Sequence, residues 1–146
     1  MTGDRREPSR RRPFSSQSSA LLPPTATTMY AIRRIKGKGR GVVATRDIAA
    51  STAIVTCPVV VYDDTDAARI AKTRLGDYNF RFGERQQRAC IVLGVISLCN
   101  HAEHPNAEIV CDEREQTVTL VALRPISAGE EISIKYRRPL WFTPAA

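Results

Sequence analysis

Between Tyr30 and Tyr136 only one stretch, "DAARIAKTRL", spaces its apolar residues as a helix does, with Ala67, Ile70, Ala71 and Arg74 on one face and Asp66 placed to cap it. Everything around it is short, β-branched and broken by Gly or Pro. "YAIRRI", "RGVVATRDI", "TAIVTCPVVVYDD", "DYNFRF", "NAEIVCDE", "TVTLVALR" and "EISIKY" all read as strands. Pro58 lacks an N–H for a ladder, so it demotes part of its run to an edge or a bend. "CIVLGVISL" is a buried run whose type the periodicity leaves undecided. A chain of 146 residues built this way has one option, a single mainly β domain with small sheets and tight turns.

Charge and composition narrow the class. Residues 1–28 carry five arginines against Asp4 and Glu7, are rich in Ser and Pro, and have little to bury, so they read as a disordered basic extension. The fold is expected over residues 29–137, followed by a short tail at 138–146. No segment approaches the length of a membrane span, and residues 1–28 lack the apolar core of a secretory signal. The four cysteines, at 57, 90, 99 and 111, form no C-x-x-C pair and read as reduced thiols of an intracellular protein. The net charge of +7 comes without a nucleic-acid recognition motif, so direct nucleic-acid binding is not expected.

Three stretches carry chemistry. "KGKGRGVVATRDI" places glycines at 37, 39 and 41, where the backbone can turn sharply or approach a ligand. It is neither a Rossmann fingerprint nor a P-loop, since a strand follows, and a tight hairpin explains it equally well. "GVISLCNHAEHPNAEI" holds both histidines of the chain. A zinc site from Cys99, His101, His104 and Cys111 would need the spacing C-x-H-x-x-H-x6-C, which fits no common structural pattern. His104-Pro105-Asn106 should reverse the chain. Asn100 and His101, coming straight off a buried segment, need polar partners, which the edge of a purine could supply. "VALRPISAGEEISIKY" is by itself a hairpin whose last strand ends in Tyr136.

Taken in this order, the stretches resemble the SET-domain protein lysine methyltransferases. Gly39-Arg40-Gly41 with Val43 to Ile48 is similar to the family's opening G-x-G and following strand. Asn100 to Asn106 resembles its N-H-S-C-x-P-N motif, and Ala122 to Tyr136 its closing motif, A-x-r-x-I-x-x-G-E-E-l-x-x-x-Y. The resemblance spans nearly all of residues 30–136. It implies several small curved sheets with a C-terminal, pseudoknot-like threading that brings the Asn-His pair beside the terminal tyrosine. It also implies S-adenosyl-L-methionine as methyl donor, no metal, and transfer to the amine of a lysine. By position, the backbone of Lys38, Gly39, Arg40 and Gly41 would hold the cofactor's amino-acid end, and Asn100 with the backbone of His101 its adenine and ribose side. Tyr136 would be the catalytic tyrosine. Tyr78 and Phe80, which could equally be sheet core, and Ile134 would line the lysine channel. Trp141 with Phe142 would close over the cofactor and that channel as a lid, or else cover an apolar patch or contact a second subunit.

Three positions depart from the pattern. Ala102 and Glu103 stand in place of Ser-Cys, and Lys135 in place of a common acidic residue. These keep alive a second reading, a SET-like binding module that retains the cofactor site with little catalysis. The expected partner is a protein with an exposed lysine. Arg69, Lys72, Arg74, Arg81, Arg85 and Arg88 hint that it is acidic or nucleic-acid-associated, although a solvated basic face explains them as well. The resemblance leaves a homo-oligomer open, and places the chain in the cytoplasm of a bacterium or in the nucleus of a eukaryote.

Overall fold

A computed structural model describes residues 28–137. The first strand, β1 (Tyr30–Ile35), turns back through Gly37, with φ of 76°, into β2 (Gly39–Ala44). Then come β3 (Ala53–Tyr62), one helix α1 (Asp64–Ile70), a 3-10 turn (Arg74–Tyr78), β4 (Asn79–Phe82) and β5 (Arg88–Val92). A second 3-10 turn (Val95–Leu98) leads into the two-residue β6 (Asn100–His101), followed by β7 (Ala107–Asp112), β8 (Thr117–Ala122) and β9 (Glu131–Ile134). "CIVLGVISL" is therefore half strand and half 3-10 turn, which explains its undecided period.

Two sheets result. One has the order β4-β5-β3-β8-β7 and the other β1-β2-β9-β6. β3 serves two neighbours in succession. Ala53–Pro58 pairs with β8, and Val59–Tyr62 with β5. Pro58 does not end the strand. It sits at the handover, where its carbonyl still accepts from the Leu93 N–H at 2.9 Å and no N–H is required of it. A register shift between Ala53 and Val55 resets the alternation, so Ile54 and Cys57 both face the core.

The expected cap of α1 also differs. Asp63 occupies the N-cap and accepts from the Asp66 N–H at 2.9 Å, while Asp66 lies in the first turn and pairs with Arg69. Asp63 is the residue left in extended geometry, which is what a capping carboxylate needs.

The core lies between the two sheets. Val42, Phe82, Ile96, Leu120, Ile126 and Ile132 are shut off from solvent almost completely. Side chains of this size each contribute roughly 1.5–3 kcal/mol on burial. β9 is covered on both faces, with Ile132, Ser133 and Ile134 all buried, and both its edges are paired, since it is inserted between the opening hairpin and β6. That insertion is the threading expected from the closing motif. It positions the site.

Candidate active site

The centre of the site is a parallel pairing only two residues long, Asn100 opposite Ser133 and His101 opposite Ile134. So short a ladder needs support, and Asn106 supplies it. Its side chain is 2% exposed. Nδ2 donates to the Glu131 carbonyl at 2.8 Å and to Glu130 Oε1 at 3.0 Å, and Oδ1 accepts from the Ser133 N–H at 2.9 Å. The His104-Pro105-Asn106 turn is thereby stapled to β9, where sequence alone suggested only a reversal. Glu130 also receives Arg124 at 2.7 Å and the Ser127 N–H at 3.0 Å. Together, Arg124, Asn106 and the Ser127 N–H hold its carboxyl down at about 2.

The glycine hairpin meets this strand at Asn100. Asn100 Nδ2 donates to the Arg40 carbonyl at 3.2 Å and to Glu131 Oε1 at 2.8 Å, and Lys38 Nζ reaches Glu131 Oε2 at 3.0 Å. Gly41 explains why the motif needs its second glycine. A Cβ there would lie 2.6 Å from Ile35 Cγ1 and 2.8 Å from Asn100 Nδ2, so any side chain would force Ile35 and Asn100 to shift. Gly39 is needed for a different reason, its φ of 81°, and the space around it is open. Lys38, Gly39, Arg40, Gly41 and Asn100 are therefore gathered at one place.

Two groups remain turned toward a ligand. The Asn100 amide oxygen accepts no hydrogen bond among the described residues. In a parallel ladder, alternate residues aim their main-chain groups at the partner strand, and this register turns the His101 N–H and C=O away from β9, toward the sheet's edge.

Tyr136 follows β9 and folds back on the same strand. Its hydroxyl donates to the Cys99 carbonyl at 2.8 Å, and its main-chain N–H donates to His101 Nδ1 at 3.0 Å. The two rings stand 5.3 Å apart at 59°. The phenol is thus anchored one residue from Asn100. Burial pushes the Cys99 thiol up to about 12, so at neutral pH it is an inert neighbour. His101 spends both ring nitrogens on the protein, since Nε2 lies 3.0 Å from Glu103 Oε1. Among the described residues no group of three His, Cys, Asp or Glu side chains is placed to hold a metal.

Tyr136 also opens onto a cavity of about 410 Å³, where Phe80 and Ile134 are among the lining residues. Phe80 is half-buried and packs on the core as well as lining the cavity. Tyr78 is not among the lining residues; it ends the 3-10 turn with 36% of its surface exposed. Trp141 and Phe142 lie outside the described residues, so the lid has no structural account. Of the six basic residues between α1 and β5, Arg69 pairs with Asp66, and Arg88 pairs with Glu113 and lies over the Phe82 ring.

Sequence reasoning missed Glu131 and the stapling role of Asn106. Both lay inside motifs already quoted. The signal for Glu131 was the doubled glutamate after a turn, where one carboxylate can face the turn and the other the neighbouring strand. Glu103 and Lys135, read separately as departures, are partners, with Lys135 Nζ donating to Glu103 Oε2 at 2.7 Å.

Comparison with known proteins agrees with this geometry. The family model described as SET domain matches residues 39–137. A Schizosaccharomyces pombe protein, histone-lysine N-methyltransferase, H3 lysine-37 specific, is 33% identical over 124 residues, covering 84% of this chain and 83% of that protein. A crystal structure of a Plasmodium falciparum candidate histone methyltransferase superposes with a TM-score of 0.62, over 79% of this chain and 98% of that one; at 24% identity it speaks for the fold alone. The order of the motifs, the inserted last strand and the extent of the match lead to one conclusion: the chain belongs to the SET-domain family of protein lysine methyltransferases.

Proposed function

We propose that this enzyme transfers a methyl group from S-adenosylmethionine to the side-chain amine of a lysine in a histone H3-type tail, with Tyr136 as the catalytic tyrosine. One observation carries the reading. Tyr136 is hydrogen-bonded to Cys99 and His101 on either side of Asn100 and also lines the cavity holding Phe80 and Ile134, so it can stand between a cofactor on one side and a lysine on the other.

The residues present suit S-adenosylmethionine. The Asn100 amide oxygen is an acceptor, and the His101 main chain offers a donor and an acceptor side by side, as the polar edge of an adenine requires. The backbone at Lys38, Gly39, Arg40 and Gly41 lies open at Gly39 for the amino-acid end. Bound there, the cofactor would supply a methyl group already activated on a sulfonium.

The chain's own residues supply alignment. Because the Tyr136 hydroxyl donates a hydrogen bond to the Cys99 carbonyl, its oxygen has a fixed direction and can act toward an incoming amine as an acceptor. Methyl transfer gains chiefly from such alignment and from fixed dipoles. The lysine must arrive neutral. Apolar lining such as Phe80, Ile109 and Ile134 disfavours its charged form, against the opposite pull of Asp77, Glu84 and Glu108 in the same lining.

The Schizosaccharomyces pombe relative is a histone H3 enzyme, which supports a histone tail as substrate and the nucleus as the working compartment. Among the described residues no helix is long and apolar enough to cross a membrane.

Calorimetric titration of S-adenosylmethionine, followed by transfer of labelled methyl to H3 peptides, tests the proposal. One-to-one binding that Asn100→Ala abolishes is expected, together with a fall in kcat on the order of 100-fold for Tyr136→Phe at unchanged cofactor affinity. Binding unaffected by Asn100→Ala, or full activity in Tyr136→Phe, refutes the assignment of the site.

A further inference from the structure

Two of the positions at which this chain departs from the family's motifs touch each other and one catalytic element. Lys135 Nζ donates to Glu103 Oε2 at 2.7 Å, and the other carboxylate oxygen lies 3.0 Å from His101 Nε2. His101 Nδ1 in turn accepts the main-chain N–H of Tyr136 at 3.0 Å. A ring nitrogen that accepts carries no proton, so the imidazole is neutral, with its proton on Nε2 and donated to Glu103. Four side chains thus form one line, from Lys135 through Glu103 and His101 to Tyr136.

Magnitudes decide what this line is for. The Lys135 and Glu103 side chains are 53% and 59% exposed, and an ion pair so open to water adds little stability. The His101 side chain is 2% exposed, so its tautomer is set by the partners it meets and not by solvent. With a carboxylate at Nε2 the Nε2–H form is selected. Without it, the Nδ1–H form competes, and that form presents a donor to the Tyr136 N–H, also a donor. The hydrogen bond that fixes the Tyr136 backbone would then be lost for part of the time, and the direction of its hydroxyl with it.

We propose that Glu103 is a positioning residue for Tyr136, acting through the tautomer of His101, with Lys135 holding the carboxylate in place. The proposal rests on Tyr136 being the catalytic tyrosine.

The full chain has only two histidines, His101 and His104, so long-range proton–nitrogen spectra of the nitrogen-15-labelled protein can assign the ring directly. The wild type should show His101 as a single Nε2–H tautomer. Glu103→Ala should give a mixture of tautomers and lower kcat about tenfold, with KM for cofactor and peptide within about twofold. Glu103→Gln, which keeps an acceptor oxygen for Nε2, should retain both the tautomer and kcat. Glu103→Met, similar in length and without an acceptor, should repeat the alanine result; it is the second variant should alanine disturb the turn.

A single unchanged tautomer with wild-type kcat in Glu103→Ala and Glu103→Met overturns the proposal. So does a loss that Glu103→Gln shares, since a structural role would make it. A wild-type chain that methylates no lysine substrate refutes the enzyme reading instead, whereas mixed His101 tautomers in the wild type refute this proposal alone.

Discussion

Replacing Asn106 with alanine should unfold the active site before it affects chemistry. Asn106 makes three hydrogen bonds from a side chain 2% exposed, two of them to the main chain of the inserted strand β9. Alanine leaves the Ser133 N–H and the Glu131 carbonyl without those partners, in a strand covered on both faces. Each orphaned buried group costs about 1–3 kcal/mol, so with two of them the variant should lose about 2–6 kcal/mol. A domain of this size has about 5–15 kcal/mol in total, so the loss is a large share of it.

Urea unfolding followed by far-ultraviolet circular dichroism measures the difference. Asn106→Asp sharpens the test. It keeps an acceptor for the Ser133 N–H but sets a second carboxylate against Glu130, whose own carboxyl Arg124 and the Ser127 N–H still favour in its ionised form. The new carboxyl must be protonated to donate, which raises its folded pKa above the unfolded one. Its contribution is then present in acid and lost as pH rises, so this variant should gain stability between neutral pH and about pH 4. If Asn106→Ala costs less than about 1 kcal/mol, water replaces the side chain and the staple argument is wrong.

Gly41→Ala should weaken S-adenosylmethionine binding at least about tenfold in calorimetry and cost about 1–3 kcal/mol in urea unfolding, because its Cβ would meet Ile35 Cγ1 at 2.6 Å and Asn100 Nδ2 at 2.8 Å. Wild-type affinity in that variant would mean that the hairpin yields without moving Asn100. The Glu130 carboxyl is lowered from 4.5 to about 2, so its contribution is complete above pH 4.5 and drains away as pH falls toward 2. Acid titration of stability should be flatter in Glu130→Gln than in the wild type across that window, and parallel curves would contradict the sign. Cys90 and Cys99 are pushed up to about 12 by burial, while Cys111 lines the cavity half-buried. Brief alkylation of the native chain should therefore mark Cys111 first, and a bound substrate peptide should slow it; mass spectrometry showing Cys99 labelled as fast would refute the burial argument.

Local chemistry made much of this protein legible before any coordinates. Strands declared themselves wherever β-branched residues alternated between turns, and the motif order from Gly39 to Tyr136 carried the family. Local readings failed where two distant segments had to agree. Pro58 looked like a strand breaker because its missing N–H is a local fact, whereas the handover from β8 to β5 that makes it harmless is not. Asp66 looked like a cap because residue type is visible in sequence, but Asp63 holds the extended backbone that capping needs. "CIVLGVISL" stayed undecided because it passes from strand to 3-10 turn halfway, so neither period runs through it.

What the sequence by itself determined is the inventory: most of the strands, the glycines of the opening turn, and the family whose motifs hold Asn100, His101 and Tyr136. Only the tertiary structure decided who meets whom. Glu131 lies 31 residues from Asn100 in sequence and 93 from Lys38, yet one carboxylate holds both. Glu103 and Lys135 are two oddities in sequence and one ion pair in space. The reason is physical. Propensity and turn chemistry act over a few residues, while a hydrogen bond or an ion pair depends on distance in space, and the insertion of β9 sets those distances all at once.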